Sequence, residues 1–147
     1  MALKVSQGLR DYMLATGSFK AGVALGFLKL YAGAVPADAN AAVAPAVLLA
    51  TISVNAGGTG LSFEAAAVSG VLSKAAAEVW QGVVGSSATC TFFRFVAVGD
   101  DGLLSTTQRR LQGTVALVGG DLNLSNVALT AASVQTINHF NVALPTL

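Results

Sequence analysis

Ala88-Thr89-Cys90-Thr91-Phe92-Phe93-Arg94-Phe95-Val96-Ala97-Val98, then Gly99-Asp100-Asp101-Gly102, then Arg110-Leu111-Gln112-Gly113-Thr114-Val115-Ala116-Leu117-Val118, is the stretch whose reading decides the fold. The first and last segments are rich in aromatic and β-branched residues, which fit a pleated, half-buried surface. The Gly-Asp-Asp-Gly between them is turn chemistry, since Asp tolerates tight backbone and Gly the left-handed region. The pattern continues to the C-terminus. After Gly119-Gly120-Asp121, the segment Leu122 to Leu129 carries apolar residues at 122, 124, 127 and 129, so alternation slips at Ser125-Asn126 as a bulge would produce. Val134 to Leu144 alternates again, with one slip near 138–139.

Working back towards the N-terminus, Gly26 to Gly33 contains the strand-like run Phe27-Leu28-Lys29-Leu30-Tyr31, and residues 34–46, with Pro36, Asp38, Asn40 and Pro45, read as a loop. Val47 to Val54 is a strand closed by Asn55-Ala56-Gly57-Gly58-Thr59-Gly60, and Leu61 to Ala66 a short one. Within residues 68–79, Val71 to Val79 has helix-forming composition, but Gly70 precedes it and Trp80 to Val84 looks extended, so the stretch is read as loop and strand. Only residues 3–15 show helical spacing, with apolar groups at 5, 9, 12 and 13, Ser6 as N-cap and Gly17 as stop. Short strands with Gly-rich turns about every 10–12 residues indicate an all-β sandwich, jelly roll or barrel. The expected architecture is a single domain over 1–147: a helical docking segment at 1–16 and a jelly-roll-like β-sandwich over 20–147.

Charge is scarce. Eight Lys/Arg and seven Asp/Glu make up 10% of 147 residues, while 54% are apolar, and mean hydropathy is +0.68. Soluble domains carry roughly 25% charged residues. Uncharged side chains must therefore cover much of the surface, which suits a protein packed against neighbours. Net charge is +1, and the local +3 over residues 1–29 is too weak for a nucleic-acid arm, though it could dock on an acidic protein surface. Ala21 to Val35 followed by Ala37-Asp38-Ala39 imitates a leader, but Lys29 interrupts it, so neither signal peptide nor membrane span is read.

Catalytic chemistry finds little purchase. His139 is the only histidine and has no acid near it in sequence, although folding could bring Asp121 beside it. No G-x-S-x-G occurs. One His and one Cys cannot make a zinc tetrad, and Asp100-Asp101 is explained by its turn, with weak Ca²⁺ binding as the alternative. Gly57-Gly58-Thr59-Gly60 leads into a strand, not the helix a phosphate cradle needs. Glu64 and Glu78 are a conceivable carboxylate pair that nothing nearby supports. Cys90 reads as a small buried hydrophobe. Gln108-Arg109-Arg110 is a basic feature suited to a carboxylate on an adjacent subunit, or to a solvated edge. No cofactor and no metal are expected.

Several segments together resemble a family of small virion proteins from tailed bacteriophages. They are Ala2 to Leu14 (ALKVSQGLRDYML), Leu28 to Gly33 with Pro36 following, Val71 to Gly82 (VLSKAAAEVWQG), Phe92 to Val96, Gln112 to Val115, and Asp121 to Pro145 (DLNLSNVALTAASVQTINHFNVALP). The resemblance implies a non-enzymatic capsid cement, or decoration, protein: a jelly-roll-like unit on the outer capsid surface, partnered by the major capsid protein and by copies of itself as dimer or trimer. It also implies chain ends held in the assembly. The candidate contact residues are Lys4, Arg10 and Tyr12 in the helical segment, Lys20 just beyond it, Trp80, Arg109 and Arg110. Neither nucleic acid nor membrane is an expected partner. A tail component of the same virion is the nearest alternative, and a glycan- or receptor-binding β-sandwich, using Trp, Tyr and Asn, is another.

Overall fold

The computed structural model describes residues 3–144; the expectation about the extreme chain ends falls on residues outside that range. Strands dominate. In chain order they are β1 (Lys4–Val5), β2 (Phe27–Ala32), β3 (Val47–Val54), β4 (Val71–Ser73), β5 (Trp80–Val83), β6 (Ala88–Thr89), β7 (Phe92–Val96), β8 (Arg110–Ala116), β9 (Leu122–Asn123), β10 (Ala128–Leu129), β11 (Val134–Ile137) and β12 (Asn141–Ala143). Two helices, α1 (Gln7–Ala15) and α2 (Phe19–Gly22), lie between β1 and β2. The main sheet runs β1-β8-β7-β2-β3-β5-β11, all antiparallel, with β9 added parallel to β8. Two ribbons, β6–β10 and β4–β12, complete the sandwich-like, all-β architecture.

Two expectations need correction. The segment after residue 16 is not purely β, because Ser18 caps a second helix, its Oγ accepting from the Ala21 amide at 3.1 Å. Four residues are too few to show a period. The runs 88–98, 122–129 and 134–144 are each two strands, not one. In each case the second strand joins a different sheet from the first.

Cross-strand register explains which residues meet. Leu30, Phe93 and Gly113 lie opposite one another on β2, β7 and β8, as do Leu28, Phe95 and Leu111, so one face of the sheet is apolar. Leu9, Phe63 and Phe140 join this core from outside the sheet, together with Trp80 of β5 and Ile137 of β11. Phe63 has its ring centroid 5.6 Å from Trp80 and 5.4 Å from Phe95, and Phe140 lies 5.6 Å from Phe93. Such pairs add about 0.5–1.5 kcal/mol each beyond burial.

The opposite face of β1, β7 and β8 is also covered, which is why all five residues of β7 are buried. Its cover is the 34–46 loop. Five successive carbonyls of that loop accept side-chain donors from the sheet: Pro36 from Gln112, Ala37 from Lys4, Asp38 from Arg94, and Ala39 and Asn40 from Arg110. Irregular backbone over a sheet face has no ladder of its own to satisfy it. Here long polar side chains supply the donors.

Candidate docking site

Helix α1 is tied to the sheet through Ser6. The Ser6 Oγ accepts from the Leu9 amide at 3.2 Å and the Arg110 amide at 2.9 Å, and donates to the Gln108 carbonyl at 2.8 Å. Gly8 lets the helix come this close, since a Cβ there would sit 2.2 Å from the Thr107 carbonyl oxygen. With Leu9 fixed in the core, Met13 one turn later faces a groove of about 660 Å³. Phe19 and Lys20 of α2 form one wall, Leu72 and Val142 of the β4–β12 ribbon another, and Leu3, Val5 and Leu111 the floor. Among the described residues Lys20 is the one charged side chain in the lining, and its Nζ donates to the carbonyls of Glu64 at 2.8 Å and Ala65 at 3.2 Å. At the mouth, Leu144 is 79% exposed.

The sequence-derived contact residues divide into three groups. Lys20 lines the groove. Tyr12 and Arg109 meet on the outside of α1, the guanidinium 4.7 Å from the ring centroid, and Arg10 is exposed nearby in sequence. Lys4 is half-buried and spent on the Ala37 carbonyl. Trp80 and Arg110 are corrections, because both are fully buried. The Trp80 indole N–H donates to Glu78 Oε2 at 2.8 Å, and its ring sits among Phe63, Phe95 and Phe140, so the residue is core. Arg110 finds its carboxylate within the chain: Nε lies 2.5 Å from Asp100 Oδ2, and both side chains are out of solvent. The run Gln108-Arg109-Arg110 is thus split by the pleat, one guanidinium outward and the other inward.

Glu64, Glu78 and Asp100 are structural too. Glu64 Oε1 accepts from the Ala76 amide and Glu78 Oε2 from the Ser62 amide. Asp100 accepts from the Gly102 amide at 2.7 Å, closing the turn in which Gly102 has φ +75°. Among the described residues no three His, Cys, Asp or Glu converge as metal ligands would. Burial, with only backbone hydrogen bonds opposing it, pushes the Cys90 thiol up to about 11, consistent with a packing role. Arg94 is buried with no carboxylate on it: burial first, then Arg110, lowers its pKa to about 10, and its Nη1 has no partner among the described residues.

The groove was not legible in the sequence. Its walls come from four segments far apart in the chain, and the small residues Ala65, Ala67 and Gly70 that leave it open look like ordinary loop. No protein-family model, curated protein or solved structure matches the chain.

Proposed function

We propose that this chain is a non-enzymatic structural protein of a tailed-phage virion that seats on the outer capsid and cements contacts between major capsid subunits. The observation carrying this reading is how the charges are used. Lys4, Lys20, Asp38, Glu64, Lys74, Glu78, Arg94, Asp100, Asp101, Arg110 and Asp121 all hydrogen-bond within the molecule. Arg10, Asp11, Lys29 and Arg109 make no such bond among the described residues, Arg109 lying over the Tyr12 ring, while Asp101 keeps a 59% exposed side chain on the outside. Meanwhile Leu14, Val68, Leu104, Val118 and Leu144 are each more than 70% exposed. A surface so composed favours contact over solvation. The groove under α1 offers the docking point, its occupant an apolar segment of the major capsid protein, and repetition over a symmetric shell multiplies a modest contact.

Purified empty capsids, mixed with the chain and pelleted, test the proposal. Wild-type protein is expected to saturate them at a fixed ratio, and Ala67→Trp or Ala143→Trp, exposed residues whose enlargement fills the groove, to weaken binding about tenfold (~1.4 kcal/mol). Capsid binding no greater than to unrelated particles overturns the cementing role. Wild-type affinity in both tryptophan variants overturns the groove as docking point. A reconstruction of the intact virion with density for this chain in the tail would keep the structural class and move its place.

A further inference from the structure

A second cavity, of about 310 Å³, opens on the other side of Leu3, which lines both it and the groove. Its floor is apolar, made by Leu3, Phe93, Leu122 and Phe140, and its remaining lining residues are Asp121, Asn123, His139 and Asn141. This is a built site. Three lining residues converge on Gly113 of β8: a Cβ there would stand 2.6 Å from Phe93 Cε1 and 2.8 Å from both Asp121 Cβ and Leu3 Cδ2.

The polar groups are held in place. Asp121 is fixed by Thr114, whose amide and Oγ1 donate to Oδ2 at 2.8 and 3.0 Å, and whose Oγ1 accepts from the Asp121 amide at 3.3 Å. Asn123 is oriented by the Gly120 amide, which donates to its Oδ1 at 3.0 Å. His139 and Asn141 flank Phe140, which is 5% exposed and packed in the aromatic core, and whose carbonyl accepts from the Lys74 amide at 2.9 Å. With Phe140 buried between them, His139 and Asn141 are both exposed and both line the cavity.

Asn123, His139 and Asn141 are exposed and Asp121 is half-buried, so their free donors and acceptors are open to a ligand that can replace water. Asp121 Oδ1, the Asn123 Nδ2 group, both ends of the Asn141 amide and the His139 ring have no partner among the described residues. An anion would want donors alone and would meet the Asp121 charge. A metal ion would want acceptors alone and would meet amide N–H groups. A neutral ring carrying vicinal hydroxyls, each at once donor and acceptor, satisfies both kinds while its C–H face rests on the apolar floor. At the lower end of small-molecule pockets, roughly 300 Å³, there is room for one ring and not for an oligomer. We infer that this cavity is a binding site for a single terminal sugar residue.

The test uses the isolated chain, so it is independent of capsid docking. Saturation-transfer NMR is run with millimolar methyl glycosides of glucose, galactose, mannose and N-acetylglucosamine. At least one is expected to receive saturation on its ring protons, and Asn141→Ala and His139→Ala, both at exposed positions, are expected each to cut it more than fivefold with unchanged melting. No transfer to any of the four overturns the assignment. So does transfer that persists undiminished in both variants. Manganese broadening of the His139 ring signals, in a protein that gives no sugar signal, would assign the cavity to a cation instead.

Discussion

Asp100 and Arg110 show what a buried charge demands. The Arg110 guanidinium is fully buried, bonded to Asp100 and to the carbonyls of Ala39 and Asn40, and reaches Asp101 at 3.7 Å. Asp100→Ala removes its buried counter-charge, and a destabilisation of about 3–5 kcal/mol is expected in urea unfolding. Asp100→Leu combined with Arg110→Met is expected to recover most of that loss, since it replaces both charges by apolar groups of similar size. Cys90 poses the corresponding question for a neutral group. Its thiol, 2% exposed, is raised from 9.0 to about 11, so between those pH values the unfolded chain gives up a proton that the folded chain keeps. Its contribution is complete below pH 9 and is lost as pH climbs through 11, roughly 2–3 kcal/mol in all. Alkaline unfolding curves of wild type and Cys90→Ala are expected to diverge in that window, the variant having the flatter limb. In native protein at pH 8 the thiol is expected to resist a disulfide reagent that modifies it at once in denaturant.

At the scale of elements, Ser6 joins α1 to β8 by three hydrogen bonds from one hydroxyl. Ser6→Ala is expected to cost about 1–2 kcal/mol, at the upper end for an N-cap because the Arg110 amide loses a partner as well. Amide exchange should accelerate at Leu9 and through α1 before the central strands respond. From residue 7 onward this helix, its cap and its end were readable from spacing, and β3 was readable from residue 47 to 54, but Lys4–Val5, counted in the helical run over 3–15, is strand β1 paired with β8. What misled was how alternation fails. The slips at 125–126 and 138–139 look like bulges in continuous strands, yet each marks the place where the chain leaves the main sheet for a ribbon, or returns. The break at Cys90-Thr91 was hidden altogether. Cys90 faces the core with even parity and Phe93 and Phe95 with odd, and because Phe92 is itself apolar and stacked on Tyr31 at 4.9 Å, no polar residue marks the change. Leu61 to Ala66 reads as a strand but makes only isolated bridges, at Leu61 and Phe63. The candidate contact residues failed for a related reason. Sequence shows that Trp80 and Arg110 are large and capable of strong contacts, but not that partners for both lie within the same chain.

At the scale of the whole molecule, the few charges hold loops onto the sheet and the apolar side chains are left outside, so association should carry an apolar signature. Leu103 and Leu104 at one loop, and Leu117 and Val118 at another, are all more than half exposed. Exposed positions without structural partners change stability by no more than about 0.5 kcal/mol when replaced. Leu104→Ser and Val118→Ser should therefore melt with wild type while raising the solubility of the free chain. On the proposed cementing role, the same distribution sets how salt would act on capsid binding. With few charges exposed, Arg10, Asp11 and Asp101 among them, there is little attraction for ions to screen, while sulfate strengthens apolar burial. Occupancy on capsids is expected to change less than about twofold between roughly 0.05 and 0.5 M NaCl, and to rise in sulfate of equal ionic strength. A tenfold fall over that range would mean that docking is electrostatic, through the Arg10 and Arg109 side of α1. The apolar groove would then be ruled out as the docking point.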